Sequence, residues 1–275
     1  MIRPGNHLLH RGEPGGGMVR EGFVLVQKRF TTGASPVESA KKWSTSMGLT
    51  VHYTLTSDCQ TADQARRLLG KLRQKALDLP VESVSEIRRL RGVVPEWGDG
   101  IKHDPLWLDC VGMVQRGPWA YNVLPKHALA FTVWLGDGCE SASFGLCQFP
   151  KTITGNKGKR IRTGFQGWTW HSFCKTQYAS NPACGGMENF LRCHLSLTLL
   201  LAEAVKLGMQ ADVHDEGRFW KNRDVKSLAQ EVGEWNEMLA GLAGEVKDLL
   251  GDNVESAIAK FPNFEHLEAR GRARK

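Results

Sequence analysis

Lys175, Tyr178, His214, Asp215 and Glu216 are the side chains whose types and spacing could carry chemistry. A cation, a phenol, an imidazole and two carboxylates suit acid–base work on an anionic substrate. The lysine holds the anion, and the imidazole or a carboxylate moves the proton. Gly185, Gly186 and Asn189 stand at the start of a helix, where free backbone N–H groups bind anions, and they complete a candidate ligand-binding set with Tyr178. Asp212, His214 and Glu216 share a face if their strand continues, so a divalent metal on that trio is a second way to supply the chemistry.

These residues meet only if the elements carrying them are arranged in one way. Residues 168–177 and 210–215 read as strands, and residues 188–207 between them as a helix with apolar positions around most of its cylinder. In a β-α-β unit both strands run parallel, so their carboxyl ends share one sheet edge with the amino end of the crossover helix. Open sheets bind ligands on that edge. The edge collects Lys175 and Tyr178 from one strand and His214, Asp215 and Glu216 from the other, the two strands lying adjacent or one strand apart. By alternation, Glu216 rather than Asp215 shares the His214 face. His194, in line with Phe190, Leu197 and Leu201, is expected as a hydrogen-bonded core histidine.

Elsewhere, residues 49–56 read as a strand and Thr61 with Gln64 as a capping box. Ala65, Leu68, Leu69, Leu72 and Ala76 then make a helical face, and residues 84–90 a returning strand. Residues 129–135 and 143–149 flank a Gly136–Gly138 turn signal as a hairpin. Asp224 caps a last helix bearing Val225, Leu228, Val232, Trp235 and Leu239 on one face, with Gly241 and Gly244 expected to interrupt it. The expected fold is α+β: a mixed sheet built from two β-α-β units with an intervening β-hairpin, one central buried helix and C-terminal helices. Residues 1–46 read as a disordered leader or upstream extension, dispensable for stability. Residues 47–267 read as a single domain divisible at 126/127, and 268–275 as a basic tail that frays.

The chain has 275 residues, 41% hydrophobic and 24% charged, which excludes wholesale disorder. No run approaches 18 apolar residues, since 195–205 already contains Ser196, Thr198 and Glu203; a membrane partner is not expected. The net charge of +7 sits at the ends: residues 47–267 hold 25 basic and 25 acidic side chains. Nucleic-acid contact is therefore expected to be weak and non-specific, through the ends and the loop 151–162, which has five positive side chains and no acid. Seven cysteines without CxxC spacing, and no signal-peptide pattern, point to reduced thiols and a cytoplasmic location. A zinc set of Cys174, Cys184, Cys193 and His194 lacks the short ligand spacing of structural sites. No HExxH, GxSxG, P-loop or GxGxxG pattern is present, so the common hydrolase and nucleotide classes gain no support from motifs.

Three readings stay open. The first is an enzyme, acid–base or metal-assisted and hydrolytic, acting on a small anionic or phosphate-bearing ligand through Lys175, His214, Asp215 and Glu216. The second is a non-catalytic nucleic-acid- or protein-binding module using the loop 151–162. The third is a structural subunit, including a homo-oligomer, docked through the helix 225–240.

Overall fold

The computed structural model describes residues 26–28, 49–90, 106, 110–155, 158–250 and 256–274. The segment 1–46, read as a leader, lies outside the described residues except for a short strand β1 (Val26–Lys28), the first described element. Strand β2 (Thr50–Ser57) then alternates Val51, Tyr53 and Leu55 into the core with His52, Thr54 and Thr56 on the opposite face. Helix α1 (Ala62–Leu77) starts at the reciprocal Thr61/Gln64 capping box and buries Ala65, Leu69, Leu72 and Ala76.

Among the described residues the strands that come next are β3 (Ser83–Val84), β4 (Arg88–Leu90), β5 (Gly112–Arg116), β6 (Trp119–Val123), β7 (His127–Trp134), β8 (Ala142–Gln148), β9 (Thr152–Thr154), β10 (Arg160–Arg162) and β11 (Trp168–Lys175). Two 3-10 turns then lead into helix α2 (Gly186–Lys206), strand β12 (Gln210–Asp215) and helices α3 (Phe219–Asn222), α4 (Val225–Leu250) and α5 (Phe264–Ala273).

Seven strands form the main sheet in the order β12-β2-β11-β8-β7-β3, with β4 also on β7, and every neighbouring pair is antiparallel. The chain is thus α+β, but the strands joined by its crossover helices are not neighbours. Both β11 and β12 run antiparallel to β2, so they are parallel to each other with β2 between them. Strands β2 and β3 are separated by β11, β8 and β7. The reason lies in the ladders: β2 pairs along all eight of its residues with β11 and along six with β12, which satisfies backbone groups on both of its edges. Helices α1 and α2 cover one face of this sheet, with Leu69, Leu72, Leu197 and Leu201 fully buried in a common core. The other face of β12, β2 and β11 exposes Asp212, His214, His52, His171 and Phe173. Strands β1, β6 and β5 form a small second sheet, and β9 with β10 a hairpin.

Local chemistry explains several departures from the expected pattern. The strand expected over residues 84–90 divides into β3 and β4. Between them the Ser85 hydroxyl accepts the Thr132 N–H at 2.8 Å, and Arg73 donates to the Ser85 carbonyl at 2.7 Å. Gly241 and Gly244 do not interrupt α4 but admit α5: a Cβ on Gly241 would lie 3.0 Å from the Gly271 carbonyl carbon. Of the basic C-terminal segment expected to fray, residues 268–273 lie on α5 and Arg274 caps it. Arg270 and Arg274 pair with the buried Glu237 at 3.0 and 2.6 Å, and Arg272 with Asp248 at 2.7 Å. Helix α2 is the expected central buried helix: Phe190, His194, Ser196, Leu197, Thr198 and Leu201 are among its buried residues, and Leu199 on the remaining side is 51% exposed. No helix among the described residues is long and apolar enough to cross a membrane.

This packing predicts that Leu197→Ala or Leu201→Ala costs about 2–5 kcal/mol in urea unfolding, because each leaves a cavity against the sheet. Leu199→Ala, on the exposed side of the same helix, is expected to stay within about 0.5 kcal/mol of the parent. Equal effects at all three positions would contradict the burial of Leu197 and Leu201 against the exposure of Leu199.

Candidate functional site

Register places the exposed side chains of three strands in rows. His214 stands opposite His52, which stands opposite Phe173; Asp212 stands opposite Thr54, which stands opposite His171. Together these six residues line a cavity of about 390 Å³. The His52 ring lies 6.2 Å from that of His214 and 5.8 Å from that of Phe173, centroid to centroid.

Glu216 closes the next row. Its N–H donates to the Thr50 carbonyl at 3.2 Å, and its Oε2 accepts the Thr50 N–H at 2.8 Å. That leaves Oε1 facing His52 Nε2 at 4.0 Å. The Glu216 side chain is only 9% exposed, while that of His52 is 49% exposed, so the carboxylate is fixed and the imidazole meets solvent. His171 is held differently: its Nδ1 lies 2.9 Å from the Thr54 hydroxyl, and burial pushes its imidazole below the ordinary histidine value.

The structure brings His214 and Glu216 onto this open face and sends Asp215 the opposite way. The Asp215 carboxylate, 1% exposed, accepts from the N–H groups of Gly217 at 2.9 Å and Trp220 at 2.7 Å and lies 3.2 Å from His194 Nε2. His194 Nδ1 in turn lies 2.9 Å from the Thr176 hydroxyl, and neither residue is exposed. Burial alone would raise the Asp215 carboxyl; the His194 contact and the two N–H groups outweigh it and hold it below the usual carboxylate value. Asp215 is thus a buried positioning group, and His194 the hydrogen-bonded core histidine its helix pattern implies.

The remaining expected site residues do not line the cavity. Lys175 pairs in register with Thr50, its backbone N–H donates to Glu140 Oε2 at 3.1 Å, and its Nζ lies 4.8 Å above the Tyr178 ring. Tyr178 meets Phe261 edge-on at 6.5 Å. Gly185 and Gly186 take left-handed φ angles of 98° and 67°, and their N–H groups donate to the carbonyls of Pro182 and Asn181, so the loop itself uses them. Asn189 clamps that loop to the β7–β8 turn, donating to the carbonyls of Asp137 at 2.9 Å and Ala179 at 3.3 Å. Among the described residues no three His, Cys, Asp or Glu side chains are grouped so as to hold a metal ion, and this covers both the Asp212/His214/Glu216 trio and the cysteine set around His194.

His52, Thr54, His171 and Phe173 are among the lining residues that sequence reasoning missed. Their signal was present as alternation: His52 and Thr54 flank Tyr53, and His171 and Phe173 flank Ser172, with the intervening positions turned toward the helices.

Two outcomes check this assignment. Because the folded Asp215 carboxyl lies below its ordinary value near 3.8, its stabilisation is present above that pH and is lost as the pH falls through the folded value. Asp215→Ala should therefore cost about 3–5 kcal/mol at pH 7, with the gap to the parent narrowing only below about pH 4. In an NMR titration the His171 ring should gain its proton at lower pH than an unfolded histidine. Titration at or above the unfolded value would contradict the partial desolvation of its ring.

Comparison with known proteins adds no family or fold neighbour: no family model, no curated protein and no solved structure matches the chain.

Proposed function

We propose that the protein binds a small anionic ligand, of the phosphate-bearing kind, on the open face of β12, β2 and β11, and acts on it by acid–base chemistry. The observation that carries this reading is the set of three imidazoles, His52, His171 and His214, on one cavity, with the fixed Glu216 carboxylate 4.0 Å from His52. The cavity's size of about 390 Å³ suits a small molecule.

In this reading the histidines divide the work. His52, with the fixed Glu216 Oε1 4.0 Å from its Nε2, and His214 on the adjacent strand offer ring N–H groups to the charged oxygens of the anion. His171 stays neutral at pH 7 because burial disfavours its charged form. With Nδ1 engaged by Thr54, its Nε2 is the ring atom left to accept a proton. Phe173 supplies an apolar wall, and the Asp212 carboxylate disfavours a second anionic group, so a ligand charged at one end fits best. Lys175, in register with Thr50, adds a positive charge at the same end of the strands.

The test is a titration of the full chain with inorganic phosphate and with an aryl phosphate monoester, following the histidine ring resonances and phenol release. His52 and His214 should shift together on phosphate addition, and His52→Gln should weaken phosphate binding about tenfold, the loss of roughly one charge-assisted hydrogen bond. Phosphate binding that survives both His52→Gln and Glu216→Gln unchanged would remove the open face as the site.

A further inference from the structure

A second surface, which shares no lining residue with the histidine face, has a different chemistry. The β5–β6 hairpin and the β9–β10 hairpin meet where Arg116 Nη2 donates to the Arg162 carbonyl at 2.9 Å. Beside that contact lies a groove of about 950 Å³, lined by Arg116, Trp119, Tyr121, Lys159, Arg160 and Arg162. Four of these are cations, and no acidic side chain among the described residues lines the groove. In a body whose charges otherwise balance, this is a local excess, and it concentrates anions at one place.

The strand geometry makes that excess specific. β10 alternates, with Ile161 buried and Arg160 and Arg162 exposed to one side. Their backbones are about 6.5 Å apart, two residues along a strand, a repeat comparable to the step between phosphates of an extended nucleotide chain. A single phosphate would satisfy only part of this array. Trp119 and Tyr121, two residues apart on β6, add ring surface beside the cations; Trp119 is partly exposed and Tyr121 is 5% exposed, so Trp119 is the platform and Tyr121 its support. Cations that track a backbone, with an aromatic face between them, bind unpaired bases, whereas a duplex keeps its bases stacked inside.

We infer that this groove binds single-stranded nucleic acid, with Lys159, Arg160 and Arg162 on phosphates and Trp119 stacked on a base. Arg116, committed to the Arg162 carbonyl, holds the two hairpins in place. The site is sequence-tolerant, because every contact is to phosphate or to a ring face, and it is independent of the histidine cavity.

The experiment is fluorescence anisotropy of the full chain with a labelled oligothymidylate of about 12 nucleotides across a salt series. Each phosphate contact on a single strand contributes about 0.7 to the slope of log affinity against log salt. The Lys159→Ala/Arg160→Ala double variant should therefore flatten the slope by about 1.4, and this difference separates the groove from the basic ends. Trp119→Leu should weaken binding about tenfold with the slope unchanged. Circular dichroism matching the parent shows that each variant is folded. Absence of binding at low salt, or an affinity and slope that the double variant leaves untouched, would overturn the inference. Competition by polyglutamate as strong as that by unlabelled oligothymidylate would also overturn it, and would assign the groove to acidic proteins.

Discussion

The Asp215 carboxylate accepts two backbone N–H groups and a histidine ring inside the protein, and His194 extends the connection to Thr176. Three elements meet there: the end of β11, the middle of α2 and the end of β12. A carboxylate at 1% exposure persists only if its partners replace water, and losing one partner of such a pair costs about 3–5 kcal/mol out of a total stability of about 5–15. The adjoining residues repeat the device. Gln177 accepts the Leu49 N–H at 3.0 Å and donates to Asn236 at 2.9 Å, and Asn236 donates to Ser180 at 2.8 Å, tying the start of β2 and helix α4 to the same turn.

This buried anchor fixes the register of β12 against β2. A slip of one residue would turn His214 and Glu216 into the core and bring Asp215 out, because side chains alternate faces with a period of two. The hydrogen bonds of Asp215 forbid that slip. With Asp215 held, His214 stands opposite His52, and Glu216 reaches the Thr50 N–H. The solvent-facing imidazoles therefore rest on a rigid layer of polar contacts on the far side of the strands, which is the support a preorganised site needs. The proposed chemistry on the open face and the stability of the core share one strand, and adjacent residues of that strand divide the two tasks.

Much of this was legible locally. The Thr61/Gln64 capping box, the alternation of 210–215 and the prospect of Glu216 sharing the His214 face needed only neighbouring residues. The parallel relation of β11 and β12 also follows from the β-α-β pattern. What no local pattern carries is that β2, more than a hundred residues earlier, lies between them; strand partners distant in sequence are chosen by ladders and packing that form together. For the same reason His52 and His171 could not be joined to His214 by reading along the chain. The glycines misled in another way. Gly185 and Gly186 suggested free N–H groups at a helix start, but their left-handed φ angles build a turn that uses those groups itself. Gly241 and Gly244 suggested a break and instead allow close approach of α5.

The claim that the open face, rather than the amino end of α2, is the anion site is tested most directly by soaking crystals with an anomalously scattering tetrahedral oxyanion such as selenate. The account predicts anomalous density within about 3 Å hydrogen-bonding reach of His52 and His214. Density at Gly185 and Gly186, with none on the histidine face, would contradict it.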